Sequence, residues 1–479
     1  MTDASPRADR RAAWIIFLTT FLAYAYFFQG LGWNQFAHFS TMRSLAEHGT
    51  ADISAFTDLT QDITVNEHGT FSNKPPGIAL LGTPFYFLLM KIERWIGIDY
   101  SAYRVMLRNL HVMTILLSAL PGAILNVQLF YAFRREHLAL RTAMLMAGAF
   151  AFGSLSWPYA GLLMSHLAVA SLVFGAWYLL TDLDLTTRRA LCAGMLIGLG
   201  ILCDLLTLPV GFVLGLYVIA RRSPFRTWMT YGFGPLMGIL ALLIYNHLAH
   251  GSASQSGALH PTTTFSSPDL FLGQFTWPQW RRLYWITYQP MRGIFTTCPI
   301  FIICLISLLL IRRPVRMRLD RIAILLILLV YVLFYLTFIG WNGGWSVGLR
   351  YMIPVLPLVW LFAIEPFKRF GPLCAVLIVL SMVHMLAVTS VRVLTPSPDA
   401  GPPNTSDPVR ACLIVFLQGR TNWSADGYNL GELIGLWERL HLVPIYLLLA
   451  IFYIYAFTRP NRQPAAEQVS SAGFQLDKE

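Results

Sequence analysis

Apolar runs near twenty residues long recur from Trp14 almost to the end of the chain, and nothing else constrains its fold as strongly. A helix satisfies its backbone polar groups internally, so about 20 apolar residues make a unit that crosses a ~30 Å hydrocarbon core. Hydrophobic residues are 56% of the 479 and mean hydropathy is +0.56, which excludes a water-soluble globular domain. A transmembrane barrel would show short alternating segments instead. The expected fold class is an all-α polytopic membrane protein.

The net charge of +11 reports topology rather than a polyanionic partner, and no nucleic-acid function follows from it. The basic residues gather in short connectors: Arg134/Arg135/Arg141, Arg188/Arg189, Arg221/Arg222/Arg226, Arg312 to Arg321, Lys368/Arg369 and Arg459/Arg462. Placing all of them in the cytoplasm, with Arg7, Arg10 and Arg11, predicts an uncleaved first helix over 14–32. Further spans follow near 109–132, 139–158, 162–181, 227–248, 291–311, 322–340, 351–367, 371–392 and 440–458. The apolar run 190–220 has two basic flanks, so it makes two short crossings that turn outside near Asp204. The apolar segment 75–96 keeps both ends outside as a juxtamembrane or re-entrant helix, with Lys91, Glu93 and Arg94 at the interface. The sum is about 12 transmembrane helices with both termini cytoplasmic. Residues 1–13 form the N-terminus, 14–458 a single multi-pass domain, and 459–479 a polar, disordered cytoplasmic tail.

On this map the long polar segments are all extracytoplasmic: a first loop over 33–108, then 249–290 and 393–438. A polar substrate would therefore be handled on that side. The first loop concentrates Asp52, Asp58, Asp62, Glu67, His48, His68 and Lys74 in a chain only 12% charged. It closes in Phe71-Ser72-Asn73-Lys74-Pro75-Pro76-Gly77, where the prolines stiffen entry into a helix and fix Lys74 at the membrane boundary. A lysine there meets a lipid phosphate at headgroup depth; a snorkelling lysine that only marks the interface explains it equally well. The second signal is Gly340-Trp341-Asn342-Gly343-Gly344-Trp345-Ser346-Val347-Gly348-Leu349-Arg350-Tyr351. Belt tryptophans and a snorkelling arginine account for half of it and leave the glycines unexplained, whereas a phosphate clamp at Arg350 uses them all. Weaker candidates for substrate contact are Asn34, His166, Asp204, Trp345, Tyr351 and Arg292. The cysteines form no disulfide framework or metal motif.

These residues resemble the type-C glycosyltransferases (GT-C fold), closest to the protein-mannosyltransferase and lipid A aminoarabinose-transferase group and its uncharacterised bacterial branch. The resemblance rests on Asp58-x-x-x-Asp62, on Gly69-Thr70-Phe71-Ser72-Asn73-Lys74-Pro75-Pro76-Gly77, on Tyr245-Asn246, and on Gly343-Gly344-Trp345-Ser346-x-Gly348-x-Arg350-Tyr351. It implies a multi-pass catalytic domain in the plasma (inner) membrane of a bacterium, its active site extracytoplasmic. The implied reaction moves a sugar from a polyprenyl-phosphate donor to a lipid, glycan or protein acceptor. One departure matters: many such enzymes carry an acid just after the first helix, where this chain has Asn34-Gln35. The general base then falls to Asp62, with Asp58 as runner-up on the same face if the segment is helical. Lys74 and Arg350 would hold the donor phosphate, and no metal or other cofactor is expected. A transporter or flippase of a lipid-linked anion is the rival; it calls for midplane charges and an internal repeat, and the sequence has neither. An assembly scaffold leaves the charged loop unexplained.

Overall fold

The computed structural model describes residues 6–30, 32–257, 267, 269–310, 315–394, 407–421 and 426–459. Helix accounts for 70% of it and sheet for almost none. The chain runs α1 (Pro6–Ala25), α2 (Trp33–His48), a hairpin of β1 (Ile63–Asn66) and β2 (Gly69–Ser72), α3 (Gly77–Trp95) and α4 (Tyr103–Arg135). It continues with α5 (Leu140–Gly153), α6 (His166–Leu180), α7 (Thr187–Cys203), α8 (Thr207–Ala220) and α9 (Phe225–His250). Last come α10 (Ile300–Leu310), α11 (Val315–Thr337), α12 (Gly371–Val391), α13 (Pro408–Leu417) and α14 (Val443–Phe457).

Among the described residues five helices are long and apolar enough to cross a membrane: α4, α9, Arg318–Thr337 of α11, α12, and α14 with its preceding turn from Arg439. Their outer faces are apolar. On α9, Met229, Phe233, Leu236, Leu240 and Ile244 form one exposed stripe at helical spacing, and only 22% of its apolar window is buried. A stripe of that size facing water would be a large destabilising patch; facing lipid it costs nothing. The opposite face of α9 meets α7 backbone to backbone. A Cβ on Gly194 would lie 2.1 Å from the Tyr231 carbonyl oxygen, and one on Gly234 2.0 Å from the Gly194 carbonyl carbon. Two small-x-x-x-small pairs, Gly194/Gly198 and Gly234/Gly238, thus build the seam, as close-packed membrane helices do.

The basic connectors do meet at one end of the bundle. Arg134 pairs with Asp9 at 3.0 Å, Arg135 and Arg189 share Asp182 at 3.3 and 2.9 Å, and Tyr217 donates to Asp320 at 2.6 Å. The apolar run 190–220 breaks at Asp204, as its flanks required. Arg312, Arg313 and the tail beyond Arg459 lie outside the described residues, as does most of the Pro/Ser-rich stretch before Pro408.

Four details differ from the sequence expectation. The segment 351–367 is not one regular α-helix but short helical pieces, with 3-10 geometry at Arg350–Met352 and Leu361–Ala363, and Pro354, Pro357 and Pro366 each remove a backbone donor from it. It is nonetheless core, with Ile353, Val355, Leu358 and Trp360 buried. The first helix stops at Ala25, and Phe27–Phe28 pairs as a short strand with Tyr428–Asn429. Glu93 does not reach outward: it is 2% exposed, accepts a hydrogen bond from Asn109 at 2.8 Å, and ties α3 to α4. In α4 a π-helical turn at Ile115–Ala119 precedes Pro121, whose missing N–H and ring bulk it accommodates.

Candidate functional site

The hairpin explains how residues twelve apart come together. The register pairs Ile63 with Ser72 and continues outward, so that the Asn73 N–H donates to the Asp62 carbonyl at 3.0 Å. Gly69, at φ 137, closes the turn in a conformation side chains rarely adopt. Lys74, one residue past the last rung, places Nζ 3.0 Å from Asp62 Oδ2. The segment leading to Asp62 is a turn and then strand, as its Thr and Ile content favours. The helical option that would have aligned Asp58 with Asp62 is therefore not adopted. Asp58 stands exposed on the rim. Asp52 is a girder: its carboxylate accepts from the Thr70 and Ser54 N–H groups, each at 3.0 Å. Thr60 ties the loop to α2 by donating to the Trp33 carbonyl at 2.8 Å while accepting the Asp62 N–H at 3.0 Å.

After Lys74-Pro75-Pro76, Gly77 opens α3 hard against the end of α7, where a Cβ would fall 2.6 Å from the Cys203 nitrogen. That contact needs glycine, and it sets Lys74 beside the turn that carries Asp204. The Asp204 Oδ1 accepts the Leu206 N–H at 3.0 Å.

The glycine-rich link supplies the opposite side. Gly343 and Gly344 both have positive φ, 64° and 68°, and a Cβ on Gly343 would sit 3.0 Å from Arg350 Nε. The glycine lets the link fold over the arginine stem. Arg292 is buried and props the link from behind, donating to the Ser346 carbonyl at 2.7 Å and to that of Gly344. Arg350 Nη2 donates to the Tyr351 hydroxyl at 3.1 Å, and its Nε is buried with no hydrogen-bond partner among the described residues.

Hairpin, turn and link enclose a cavity of about 1270 Å³. Of the residues singled out from the sequence, Asn34, Asp58, Asp62, Lys74, Asp204, Trp345, Arg350 and Tyr351 line it. Two do not. Arg292 spends its guanidinium on the link, and His166 stands behind Tyr351, ring centroids 5.7 Å apart, with both ring nitrogens buried and unpartnered among the described residues. One face of the wall is apolar, with Leu208 of α8, Leu242 and Leu243 of α9, and Leu333 and Phe334 of α11. Gln35, beside Asn34, is structural: it donates to the Gly30 carbonyl at 2.7 Å and accepts the Leu163 N–H at 3.1 Å.

Charge is arranged unevenly. Burial alone raises a carboxyl, but the hydrogen-bonded ammonium of Lys74, then Arg350 and the Asn73 amide, outweigh it and hold Asp62 below the usual carboxylate range. Burial pushes Asp204 the other way, up to about 6, against the opposing Leu206 N–H and Arg350. His38 on α2 is pushed down to about 3 by burial and then by the Lys74 charge, so it stays neutral. Among the described residues no group of three His, Cys, Asp or Glu is placed to hold a metal ion.

Sequence reasoning missed His38, Asn73, Gln274 and Arg392; the last three line the cavity. Arg392 carried a readable signal, an arginine at the end of an apolar run that lies away from the basic connectors, against their charge bias. No protein-family model matches the chain, and comparison with curated proteins finds no significant match.

Proposed function

We propose that the protein is an integral-membrane glycosyltransferase of GT-C type, transferring a sugar from a polyprenyl-phosphate donor to an acceptor at the extracytoplasmic face. The observation that carries this is the convergence of a carboxylate, an ammonium and a guanidinium (Asp62, Lys74, Arg350) on one cavity that also has a broad apolar face from three helices. A lipid-linked phosphate needs both kinds of surface at once.

In the proposed reaction Asp62 takes the proton of the acceptor hydroxyl as its oxygen bonds to the anomeric carbon. The bond from that carbon to the phosphate oxygen breaks, its electron pair stays with the phosphate, and Lys74 and Arg350 stabilise the charge. Asp62 and Lys74 hold and quench each other. An arriving phosphate competes for Lys74, and Asp62 then loses the contact that lowers its basicity. The base is switched on by the donor.

The test is mass spectrometry of envelope lipids and glycans with and without the gene. The expected loss is one sugar from one component, with the polyprenyl-phosphate sugar accumulating. Sugar content that is identical in both cells overturns the proposal.

About twelve crossings with cytoplasmic termini complete the reading, α3 lying at the outer surface. Single cysteines replacing Glu67 and Asp99, which flank α3, should react with an impermeant reagent from one side, and a cysteine replacing Glu136 only from the other. Reaction of the first two from opposite sides refutes that topology.

Asp204 gives the site a pH dependence whose sign follows from its raised pKa. It is charged above about 6 and takes up a proton as pH falls through that value. A donor phosphodiester keeps its single charge over this range, so the cavity becomes more cationic while the ligand does not change. Donor affinity should rise roughly fivefold from pH 7.5 to pH 5, about 1 kcal/mol for one charge at partly screened range. Asp204→Asn should bind tightly at both pH values; a variant that keeps the wild-type slope would place the titration elsewhere.

A further inference from the structure

The cavity has a second guanidinium that the reaction above does not use. Arg392 follows the last turn of α12 in extended conformation, its N–H donating to the Val388 carbonyl at 3.0 Å. The next residue is fixed from two sides: the Val393 N–H donates to Gln29 Oε1 at 3.1 Å, and its carbonyl accepts the Val347 N–H at 3.0 Å. The Cys412 thiol donates to the Arg392 carbonyl at 3.5 Å. A backbone held this firmly sets where the side chain goes, and it lines the same cavity as Lys74 and Arg350.

The other arginines in this region are occupied. Arg292 serves the carbonyls of Ser346 and Gly344, Arg282 those of Tyr335, Leu336 and Phe338, and Arg350 has the Tyr351 hydroxyl and the field of Asp62. Arg392 differs. Its Nε, like that of Arg350, is buried with no hydrogen-bond partner, but unlike Arg350 it has neither a tyrosine hydroxyl nor a carboxylate engaging its guanidinium among the described residues. The carbonyl end of α12 offsets part of its charge. The Nε–H, withdrawn from bulk water, still lacks an acceptor, which costs stability unless a ligand supplies one, and the half-buried Nη groups leave further donors for it.

We propose that Arg392 is a second oxyanion-binding position in this cavity, distinct from Lys74 and Arg350, so that what binds there presents two anionic groups. The statement about Arg392 stands on its own geometry; that the first group is a donor phosphate rests on the proposed function. The second group is a phosphate or a carboxylate. It comes either from the same ligand, as the second phosphate of a diphosphate linkage, or from an acidic sugar or acceptor. The consequence is a restriction of substrate class: a neutral sugar on a monophosphate, given to a neutral acceptor, leaves Arg392 unmatched.

The test reads Arg392 directly. The detergent-purified full chain is treated with phenylglyoxal, and modification of each arginine is measured by peptide mass spectrometry in inorganic phosphate against sodium chloride of equal ionic strength. Labelling of Arg392 should fall about fivefold at a phosphate concentration about four times its Kd. The protection should persist in Arg350→Gln and in Lys74→Gln. Inorganic pyrophosphate protecting Arg350 and Arg392 together, at about tenfold lower concentration than phosphate, supports the site and marks a diphosphate ligand. Acetate protecting Arg392 as well as phosphate does supports the site and marks a carboxylate. A purely structural arginine predicts the same labelling in phosphate and chloride, and that result overturns the proposal. So does protection that disappears in Arg350→Gln, which would mean one shared site. Absence of sugar transfer would refute the proposed function and leave this labelling pattern unaffected.

Discussion

Asp62→Asn should lower turnover by roughly 10²–10⁴-fold while leaving donor affinity nearly intact. The amide keeps the size and hydrogen-bonding shape of the carboxylate but takes no proton at neutral pH, so the loss falls on the transition state. The structure sharpens the expectation. Asp62 is the acid that Lys74 holds at 3.0 Å, so the variant also frees that ammonium, and donor KM should stay level or fall slightly. Asp58→Asn should stay close to wild type, because Asp58 is exposed at the rim and makes no ion pair among the described residues. Steady-state kinetics with polyprenyl-phosphate sugar decides between them. Near-normal turnover in Asp62→Asn with loss in Asp58→Asn would move the base to the rim. If neither change matters, the neutral His38 beside the Lys74–Asp62 pair becomes the residue to test.

What the sequence made legible, and what it did not, divides by the range of the interactions involved. The break at Asp204 followed from two basic flanks on one apolar run, and the basic end of the bundle followed from charge bias. Both are properties of short stretches, and both are present in the structure. The Asp62–Lys74 contact was half visible. The motif brought both residues forward, but the twelve-residue gap closes only through a hairpin register that Asn66, His68 and Gly69 set. The glycines of the link were marked as needing a cause; for Gly343 it is the stem of Arg350, seven residues on, and Gly344 and Gly348 take positive φ. Arg292 and Arg392 show the limit. Both are arginines at the same end of the bundle, and the sequence reading singled out Arg292 and passed over Arg392. One is consumed by two carbonyls of the link and the other faces the cavity unpaired, a difference made by tertiary contacts alone. The segment 351–367 shows composition read too simply: an apolar run of the right length that carries three prolines.

Lys74→Ala and Arg350→Ala should both weaken donor binding and slow turnover, but by separable routes. Each removes a cation that meets the phosphate in the ground state and more strongly as its charge grows, and a loss of roughly 10²–10³-fold in kcat/KM is the scale for one such donor. Arg350→Ala takes away a guanidinium whose Nε is unpartnered and whose Nη2 reaches only the Tyr351 hydroxyl among the described residues, so phosphate binding should suffer most, and KM and kcat should change together. Lys74→Ala does a second thing. It leaves Asp62 with burial, which raises its pKa, and without the ammonium that chiefly lowers it. A base must be unprotonated to work, so the acid limb of the kcat/KM profile, which reports the free enzyme, should shift to higher pH in Lys74→Ala. In Arg350→Ala the shift should be smaller, because Arg350 ranks behind Lys74 among the groups that lower Asp62. Lys74→Arg should restore most of the limb's position, having the charge but not the reach. A Lys74→Ala profile that falls in height with its acid limb unmoved would mean that Asp62 is not the group titrating in turnover, and the base assignment would fall with it.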